Sequence, residues 1–193
     1  MTFKILFVCT GNLCRSPAAE RVLRHELEAA DVDDVLVESA GVRAVVGEPI
    51  SPPMAALVSD YGAIPDHFRA RQLTPPMLRQ SDLLIGMSSA HRTAAVTLAP
   101  PVVQRAFVLG ELARMLARID TEAITAEVGM SKGAAERLSA LVTLARRQRT
   151  PGLDLEDDVV DPIGQSDEVY ARSFQQILQG LRPLIRLATT AGS

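Results

Sequence analysis

KILFVCTGNLCRSP, residues 4–17, is the stretch that decides the fold of this 193-residue chain. Its first part is apolar and ends at Cys9, a loop with a glycine follows, and the stretch closes on a Ser-Pro pair. Pro17 suits the first position of a helix, because its missing amide proton would have no partner there. Apolar residues then recur at helical spacing, at Ala19, Val22, Leu23, Leu27 and Ala30. The stretch therefore predicts a strand, a tight loop and the start of a helix.

Three further apolar stretches, at 35–40, 82–87 and 102–109, predict three more strands with helical stretches between them. This alternation predicts an α/β fold with a doubly wound, four-stranded parallel sheet. In an open sheet of this type, ligands bind beyond the carboxyl ends of the strands, and Cys9 lies at such an end. The last predicted helix is capped by Ser166 and carries an apolar stripe at Val169, Phe174, Ile177, Leu178, Leu181 and Ile185.

The segment 111–150 is rich in alanine, leucine and arginine, and an acidic loop at 154–158 follows it. Its apolar spacing predicts two or three helices, with a break at Gly129 and a new cap at Ser131. We expect this helical insertion either to border the ligand-binding edge or to pack as an amphipathic hairpin on the core or a second subunit. Residues 1–193 are predicted to form a single domain that includes it.

Charge and composition exclude several classes of function. The formal net charge is -3 and the two signs are interspersed, which argues against nucleic acid and membrane surfaces as partners. The apolar run near the N-terminus is too short for a signal peptide, and no run of about 18 apolar residues could span a membrane. We therefore expect a cytoplasmic protein, as a monomer or a weak homodimer. Two cysteines and three histidines cannot form a disulfide framework or a four-ligand zinc site, so we expect no metal or other cofactor.

The loop after the first strand has the composition of a phosphate-binding site. A doubly charged phosphate needs many donors on a concave surface, and a short loop that enters a helix supplies them from its backbone amides. Arg15 adds a planar fork of donors that matches two phosphate oxygens. Among these donors Cys9 should be stabilised as a thiolate, which is a charged nucleophile. The predicted phosphate-binding set is Thr10, Gly11, Asn12, Leu13, Cys14, Arg15 and Ser16.

The spacing of Cys9 and Arg15 is weak evidence when it is taken alone. An arginine-rich chain often places an arginine six residues after a cysteine by chance, and a buried cysteine beside a surface arginine would give the same pattern. The context favours a catalytic loop, because the cysteine ends a strand, a glycine follows it and a Ser-Pro helix start comes directly after the arginine.

The run 8–20, VCTGNLCRSPAAE, resembles the signature of low-molecular-weight protein tyrosine phosphatases. The similarity extends to 39–41, to the Ala-Arg-Gln segment at 70–73, to the strand at 82–87 and to the Asp-Pro pair that begins at Asp161. The segment at about 111–150 has no counterpart. The resemblance implies a phosphotyrosine phosphatase I-like fold with flavodoxin-like layering.

The resemblance also implies a cysteine-dependent phosphomonoester hydrolase that acts on phosphotyrosine in proteins or on small aryl phosphates. Cys9 would attack phosphorus to form a phosphocysteine, and Arg15 would clamp the phosphate. Asp161 would protonate the leaving oxygen and then activate the water that releases phosphate. The neighbouring carboxylates Asp154, Asp157 and Asp158 are alternative candidates for this acid.

Four further residues receive supporting roles from the resemblance. Ser16 would donate a hydrogen bond to the Cys9 thiolate, while Asn12 and Ser39 would hold the loop in shape. Cys14 occupies the position of a second loop cysteine, which can trap the nucleophile as a reversible disulfide. Alternatively, Cys14 is a small apolar side chain packed under the loop.

The chain departs from the family pattern at two places. Many members have a tyrosine after the Asp-Pro pair, whereas Ile163 and Gly164 stand there in this chain, which weakens the case for phosphotyrosine recognition by stacking. Many also have a histidine three places before the arginine of the Ala-Arg-Gln segment. Phe68 occupies that place, and the neighbouring His67 is either a substitute or a surface residue.

Other functions fit the same loop. An arsenate reductase coupled to a small external thiol is one alternative, although the thioredoxin-coupled kind needs further cysteines and none follows Cys14. Protein arginine phosphatases carry a threonine where this chain has Leu13, which disfavours that branch. An inactive module that binds phosphate or phosphoproteins is the non-enzymatic alternative.

Overall fold

Four parallel strands form one sheet in the computed structural model, which describes residues 2–118, 133–148 and 157–189. They are β1 (Phe3–Cys9), β2 (Val35–Gly41), β3 (Leu83–Gly86) and β4 (Ala106–Val108), in the spatial order β2-β1-β3-β4. Each neighbouring pair is parallel. The predicted α/β fold with a four-stranded parallel sheet is confirmed.

Helices connect the strands and cover both faces of the sheet. Within the described ranges they are α1 (Arg15–Ala29), α2 (Pro52–Asp60), α3 (Pro75–Gln80), α4 (Ser89–Leu98), α5 (Leu109–Leu116), α6 (Ala134–Arg147) and α7 (Asp167–Thr189).

β1 lies between two hydrophobic cores, one on each face of the sheet. Ile5 and Phe7 pack into the core formed with α1, α2, α5, α6 and α7, whereas Leu6 and Val8 pack into a second core with α3 and α4. Successive side chains of a strand point to opposite faces, so a strand covered on both faces must be apolar at nearly every position. This explains the unbroken apolar run of the opening stretch.

The strand register brings the candidate loop to the carboxyl edge of the sheet. Cys9 pairs with Gly41 of β2, and Val8 pairs with Gly86 of β3. A side chain on Gly41 would lie 2.5 Å from the carbonyl oxygen of Thr10, so the close approach of β2 to the loop requires glycine. The loop therefore leaves β1 between two neighbouring strand ends.

Helix α1 starts earlier than the sequence suggests. It begins at Arg15, so Pro17 is its third residue and not its first. Pro17 is still harmless there, because amide protons of the first turn have no partner within the helix. Ala30, predicted on the apolar face, is the exposed residue that ends the helix.

The fourth strand is shorter than predicted. A 3₁₀ helix at Pro100–Arg105 occupies the first part of 102–109, and the strand itself covers only Ala106–Val108. Two prolines open the 3₁₀ helix, where their fixed φ suits the helical conformation and their missing amide protons would not be bonded. Val102 is buried in the second core, which accounts for the apolar pattern that resembled a strand.

Helix α6, which lies within the insertion, is away from the carboxyl edge of the sheet. The backbone N–H of Ala135 in α6 donates to the carboxylate of Asp34, directly before β2, at 2.9 Å. Arg137 donates to the carbonyl oxygens of Leu187 and Ala188 in α7. The expectation that the insertion borders the ligand-binding edge is therefore wrong for α6, which packs on the core with an amphipathic face. The predicted break at Gly129 and Ser131 lies outside the described residues.

Helix α7 carries the last apolar stripe. Phe174, Ile177 and Leu181 are buried as predicted, while Val169, Leu178 and Ile185 are only partly buried. The buried face also includes Tyr170, Ser173, Gly180, Leu184, Leu187 and Ala188. Neither α7 nor any other helix in the described ranges is long and apolar enough to cross a bilayer.

Candidate active site

A cleft of about 390 Å³ opens at the carboxyl edge of the sheet, above the loop that joins β1 to α1. It brings together the three predicted catalytic residues, although Asp161 is far from the loop in sequence. Asn12, Ser16 and Ser39 are fully buried and do not line the cleft, although Asn12 and Ser16 were predicted to bind phosphate. The lining residues are Cys9, Thr10, Gly11, Leu13, Cys14, Arg15, Arg43, Val45, Asp161 and Ile163.

The sulfur of Cys9 lies at the end of β1 with hydrogen-bonding groups around it. Its Sγ atom is 2.9 Å from the hydroxyl oxygen of Ser16, and the backbone N–H of Asn12 donates to it at 3.3 Å. Cys9 and Ser16 are buried. The surroundings are those of a nucleophile, and the role of Cys9 stays a prediction.

Asn12 connects the loop to two other segments. Its φ of 57° lies in the left-handed region, which asparagine tolerates better than most residues. Its amide nitrogen donates to the hydroxyls of Ser16 and Ser39, both at 2.9 Å, and its amide oxygen accepts from the backbone N–H of Arg71 at 2.8 Å. This fully buried side chain therefore bonds to α1, to β2 and to the segment before α3.

Glu20, a residue with no role predicted from the sequence, extends this network. Ser39 donates its hydroxyl proton to the Glu20 carboxylate at 2.6 Å, and Arg24 pairs with the same side chain at 3.3 Å. Glu20 is buried in α1. A buried carboxylate needs such partners to remain charged. In the sequence, the one indication of a role for Glu20 was its position in the run 8–20 that resembles the family signature.

Arg15 joins the loop to the segment before α7. One guanidinium nitrogen donates to the carbonyl oxygen of Val159 at 3.2 Å, and the other contacts the Asp161 carboxylate at 2.5 Å. Arg15 is buried, whereas the side chain of Asp161 is 52% exposed. Asp161 also accepts from the backbone N–H of Ile163 at 3.3 Å. The carboxylate is therefore held at the mouth of the cleft.

The neighbouring aspartates have other partners. Asp157 forms an ion pair with Arg114 of α5. Asp158 accepts from the backbone N–H of Ser89 at 2.7 Å and from its hydroxyl at 3.3 Å, at the start of α4. Neither lines the cleft, and Asp154 lies outside the described residues. Among the described aspartates of this segment, only Asp161 faces the loop.

His91 is a buried residue beside the loop that was not predicted from the sequence. Its Nε2 atom lies 2.9 Å from the hydroxyl oxygen of Thr10, and its Nδ1 atom lies 2.7 Å from that of Ser88. Burial, and then the positive charge of Arg15, lower the pKa of His91 to about 4. The only available signal was its position just after β3, at the carboxyl edge of a predicted parallel sheet.

The alternative roles of His67 and Phe68 can be compared directly. Phe68 is buried, and the guanidinium of Arg21 lies 5.6 Å from the centre of its ring. His67 is exposed and has a φ of 58°. The bonds found for the Asn12 side chain go to other residues, which favours His67 as a surface residue.

Cys14 lines the cleft, and two hydroxyl groups lie near its sulfur. Its sulfur lies 2.9 Å from the hydroxyl of Ser51 and 4.0 Å from the hydroxyl of Tyr170. Burial raises the pKa of the Cys14 thiol, and burial also raises the pKa of Tyr170. Tyr170 of α7 thus contacts the loop through Cys14. Both cysteines are free thiols, and the disulfide with Cys9 stays a prediction.

The walls of the cleft are aliphatic. Val45 and Ile163 are 49% and 50% exposed, and Leu13 lines the cleft with them. Arg43 adds a positive charge at the rim. The residues that line the cleft include no aromatic side chain, and the described ranges hold no group of three histidine, cysteine or acidic side chains that could bind a metal ion.

Comparison with solved structures identifies the fold. A low molecular weight protein tyrosine phosphatase from T. tengcongensis superimposes with a TM-score of 0.68 and 27% identity, over 96% of this chain and 99% of that one. Wzb from Vibrio vulnificus, solved in complex with benzylphosphonate, gives a TM-score of 0.67 over 96% of this chain and 99% of its own. At 23% identity, this second similarity supports the fold alone.

Sequence comparison identifies the family. Residues 4–122, more than half of the chain, match the family model of the low molecular weight phosphotyrosine protein phosphatases. The low molecular weight protein-tyrosine-phosphatase Etp of Escherichia coli K12 is 37% identical over 107 residues, which are 55% of this chain and 69% of that protein. The chain belongs to the low molecular weight phosphotyrosine protein phosphatase family, whose members are phosphoric monoester hydrolases.

Proposed function

We propose that this protein is a cysteine-dependent protein tyrosine phosphatase that works through a phosphocysteine intermediate. The observation that carries the proposal is that Cys9, Arg15 and Asp161 line the same cleft. A nucleophile, a phosphate clamp and a proton donor are the three groups that phosphomonoester hydrolysis requires. Relatives named protein tyrosine phosphatases add support.

In the first step, the Cys9 sulfur attacks phosphorus and forms a sulfur–phosphorus bond. The phosphorus–oxygen ester bond breaks, its electron pair stays on the leaving oxygen, and the Asp161 carboxyl gives that oxygen a proton. The half-exposed position of Asp161 at the mouth of the cleft supports this role, because the leaving group of a bound substrate lies on the solvent side of the phosphate.

In the second step, a water oxygen attacks the phosphorus and Asp161, now a carboxylate, takes the water proton. The sulfur–phosphorus bond breaks, Cys9 departs as a thiolate and inorganic phosphate is released. The hydroxyl of Ser16, 2.9 Å from the Cys9 sulfur, supports this role because a donor there stabilises the departing thiolate.

Arg15 and the loop amides stabilise the charge on the transferred phosphoryl group. Arg15 presents a buried guanidinium at the bottom of the cleft, and it also holds the Asp161 carboxylate at 2.5 Å. One side chain would thus align the phosphate with the proton donor. Positioning and electrostatic stabilisation supply most of the catalysis in phosphoryl transfer.

The substrate we propose is phosphotyrosine in a protein or a small aryl phosphate. A phenyl ring would lie between the aliphatic side chains of Leu13, Val45 and Ile163, where apolar contact takes the place of aromatic stacking. Arg43 at the rim would favour acidic groups next to the phosphorylated residue. We further propose a cytoplasmic location, which the two free cysteines support.

Hydrolysis of p-nitrophenyl phosphate by the wild type, Cys9→Ser and Cys14→Ser tests the proposed function. We expect the wild type to hydrolyse this ester, Cys9→Ser to be inactive and Cys14→Ser to retain part of the activity. Rapid acid quench followed by mass spectrometry should find one phosphoryl group on the peptide that contains Cys9. An inactive wild type, or a Cys9→Ser variant as active as the wild type, would contradict the proposal.

Arsenate reduction is measured in parallel with glutathione and other small thiols as reductants. We expect no thiol-dependent loss of arsenate beyond the rate without protein. Reduction of arsenate in the absence of ester hydrolysis would instead support the arsenate reductase alternative. Binding of phosphate without either reaction would support the inactive binding module.

A further inference from the structure

The first turn of α4 contacts both loops that form the cleft. His91 lies 2.9 Å from the hydroxyl of Thr10 in the phosphate loop, and Ser89 donates twice to Asp158 in the loop that carries Asp161. The backbone N–H of Val159 also donates to the carbonyl oxygen of Met87, just before α4, at 2.9 Å. These contacts fix His91 relative to the bottom of the cleft.

The hydrogen bonds of Ser88 decide which nitrogen of His91 carries the proton. The Ser88 hydroxyl oxygen accepts from the backbone N–H of His91 at 3.4 Å and lies 2.7 Å from its Nδ1 atom. If the Ser88 hydroxyl donates to Nδ1, the hydroxyl proton of Ser88 and the ring and backbone N–H groups of His91 all have acceptors. The opposite tautomer would leave the Ser88 proton without an acceptor among the bonds found in the described ranges. The ring proton of His91 is therefore on Nε2, which faces Thr10.

A proton on Nε2 determines what the Thr10 hydroxyl can do. The oxygen of Thr10 accepts from His91, so its own proton must be donated elsewhere. His91 is the partner found for this hydroxyl in the described part of the chain, and Thr10 lines the cleft. The remaining direction for its proton is the space in which the phosphate would lie.

We propose that His91 is a positioning residue, which orients the Thr10 hydroxyl so that it donates a hydrogen bond to the phosphate in the cleft. The proposal rests on the proposed function of the cleft as a phosphate site. It adds a side-chain donor to the backbone amides and Arg15, on the side of the cleft nearest α4. His91 itself does not touch the phosphate.

The charge state of His91 agrees with this geometry. Burial and the nearby guanidinium of Arg15 hold the pKa of His91 at about 4, so the ring is neutral near pH 7 and has a single proton to donate. The carboxylates of Asp161 and Asp158 act in the opposite direction and do not reverse the shift. A neutral ring also leaves Nδ1 free to accept from Ser88.

Two substitutions at the same position separate the contacts of His91. The amide nitrogen of glutamine reaches the position of Nε2, so His91→Gln retains a donor for Thr10. The amide of asparagine reaches only the position of Nδ1, so His91→Asn retains contact with Ser88 and loses the donor for Thr10. Affinity for inorganic phosphate, measured by isothermal titration calorimetry, reports the effect without any need for turnover.

We expect Thr10→Val to weaken phosphate binding about tenfold, because one donor to a charged ligand is lost. His91→Asn should weaken binding roughly threefold, because the Thr10 hydroxyl is still present but is no longer oriented. His91→Gln should retain most of the affinity, because the glutamine amide still orients that hydroxyl. The double variant Thr10→Val/His91→Asn should bind phosphate no more weakly than Thr10→Val alone. A residue that only stabilises the fold would give additive losses.

Two results would overturn the proposal. One is a Thr10→Val variant that binds phosphate as tightly as the wild type. The other is a His91→Asn loss that adds in full to that of Thr10→Val, with equal losses for His91→Gln and His91→Asn. Thermal unfolding of each variant shows whether it is folded, and Thr10→Val tests the donor even if His91 cannot be replaced. Phosphate binding without ester hydrolysis by the wild type would refute the proposed function and leave this inference standing.

Discussion

The guanidinium of Arg15 lies 2.5 Å from the carboxylate of Asp161, at the mouth of the cleft that begins at Cys9. Arg15 is buried at the start of α1, whereas Asp161 is half-exposed in the segment before α7. The pair joins two segments that are far apart in sequence. It holds the proposed proton donor on the side of the cleft where a leaving group would depart.

Asp161→Asn should affect poor leaving groups most. We expect kcat for phenyl phosphate to fall about 100-fold and kcat for p-nitrophenyl phosphate to fall much less, because a nitrophenolate leaves without a proton. Steady-state kinetics on both esters measure the difference. Asp167→Asn, an exposed aspartate at the start of α7, is the matched control. Equal losses for both esters would rule out Asp161 as the general acid.

Arg15→Lys should remove most of the catalysis and retain the positive charge. Lysine cannot contact two phosphate oxygens with a planar fork, so we expect kcat/KM to fall about 100-fold or more. Arg172→Lys, an exposed arginine of α7, is the control for replacement of an arginine by lysine. If Arg15→Lys retained full activity, a positive charge alone would suffice for catalysis, and the predicted role of Arg15 as a phosphate clamp would be refuted.

Arg43→Glu should change substrate preference and leave the chemistry intact. The exposed Arg43 lines the rim of the cleft, so its reversal should lower kcat/KM for acidic phosphotyrosine peptides about tenfold more than for neutral ones. The comparison uses two peptides that differ only in residues next to the phosphotyrosine. Arg79→Glu, an exposed arginine of α3, is the control. A uniform loss on both peptides would contradict a role in specificity.

Asn12→Ala should lower the free energy of unfolding by about 1–3 kcal/mol, because the backbone N–H of Arg71 would lose its acceptor inside the protein. Alanine is also strained at a φ of 57°, whereas glycine is not. Asn12→Gly therefore removes the same bonds without the strain. The difference in free energy of unfolding between the two variants measures the cost of the strained backbone. Urea unfolding supplies both values. Equal stability for the wild type and both variants would refute the supporting role of Asn12.

His91 should make stability depend on pH in the acidic range. Its pKa is lowered from 6.5 to about 4 in the folded state, so the unfolded chain binds a proton that the folded protein does not. This contribution is complete above pH 6.5 and is lost as the pH falls toward 4. It amounts to at most about 3 kcal/mol. Carboxylates also titrate in this pH range. The prediction therefore concerns the difference in free energy of unfolding between the wild type and His91→Gln.

Urea unfolding at several pH values between 4 and 7.5 measures that difference. The free energy of unfolding of the wild type should fall more steeply with acid than that of His91→Gln. Parallel curves would mean that folding does not lower the pKa of His91, and would contradict this prediction.

Local features of the sequence predicted the central part of the fold. An apolar run, a glycine-containing loop and a Ser-Pro pair are short-range signals, and they placed Cys9 at a strand end and the loop amides at a helix start. The fourth strand was overestimated because apolar residues after two prolines form a buried 3₁₀ helix as readily as a strand.

Only the tertiary structure decided which distant residues share the cleft. The sequence favoured Asp161 as the acid by resemblance and left Asp157 and Asp158 as alternatives. Their partners in the structure, Arg15 for Asp161, Arg114 for Asp157 and Ser89 for Asp158, distinguish them. His91 and the position of α6 likewise depend on contacts between segments far apart in the chain.

The sequence by itself therefore determined the strand-loop-helix unit around Cys9, because backbone geometry and side-chain periodicity act over a few neighbouring residues. The tertiary structure decided the pairing of Arg15 with Asp161 and the contact of Thr10 with His91. Such contacts depend on how β1, β3 and α4 pack together, and packing is a property of the whole core, which no single stretch of sequence contains.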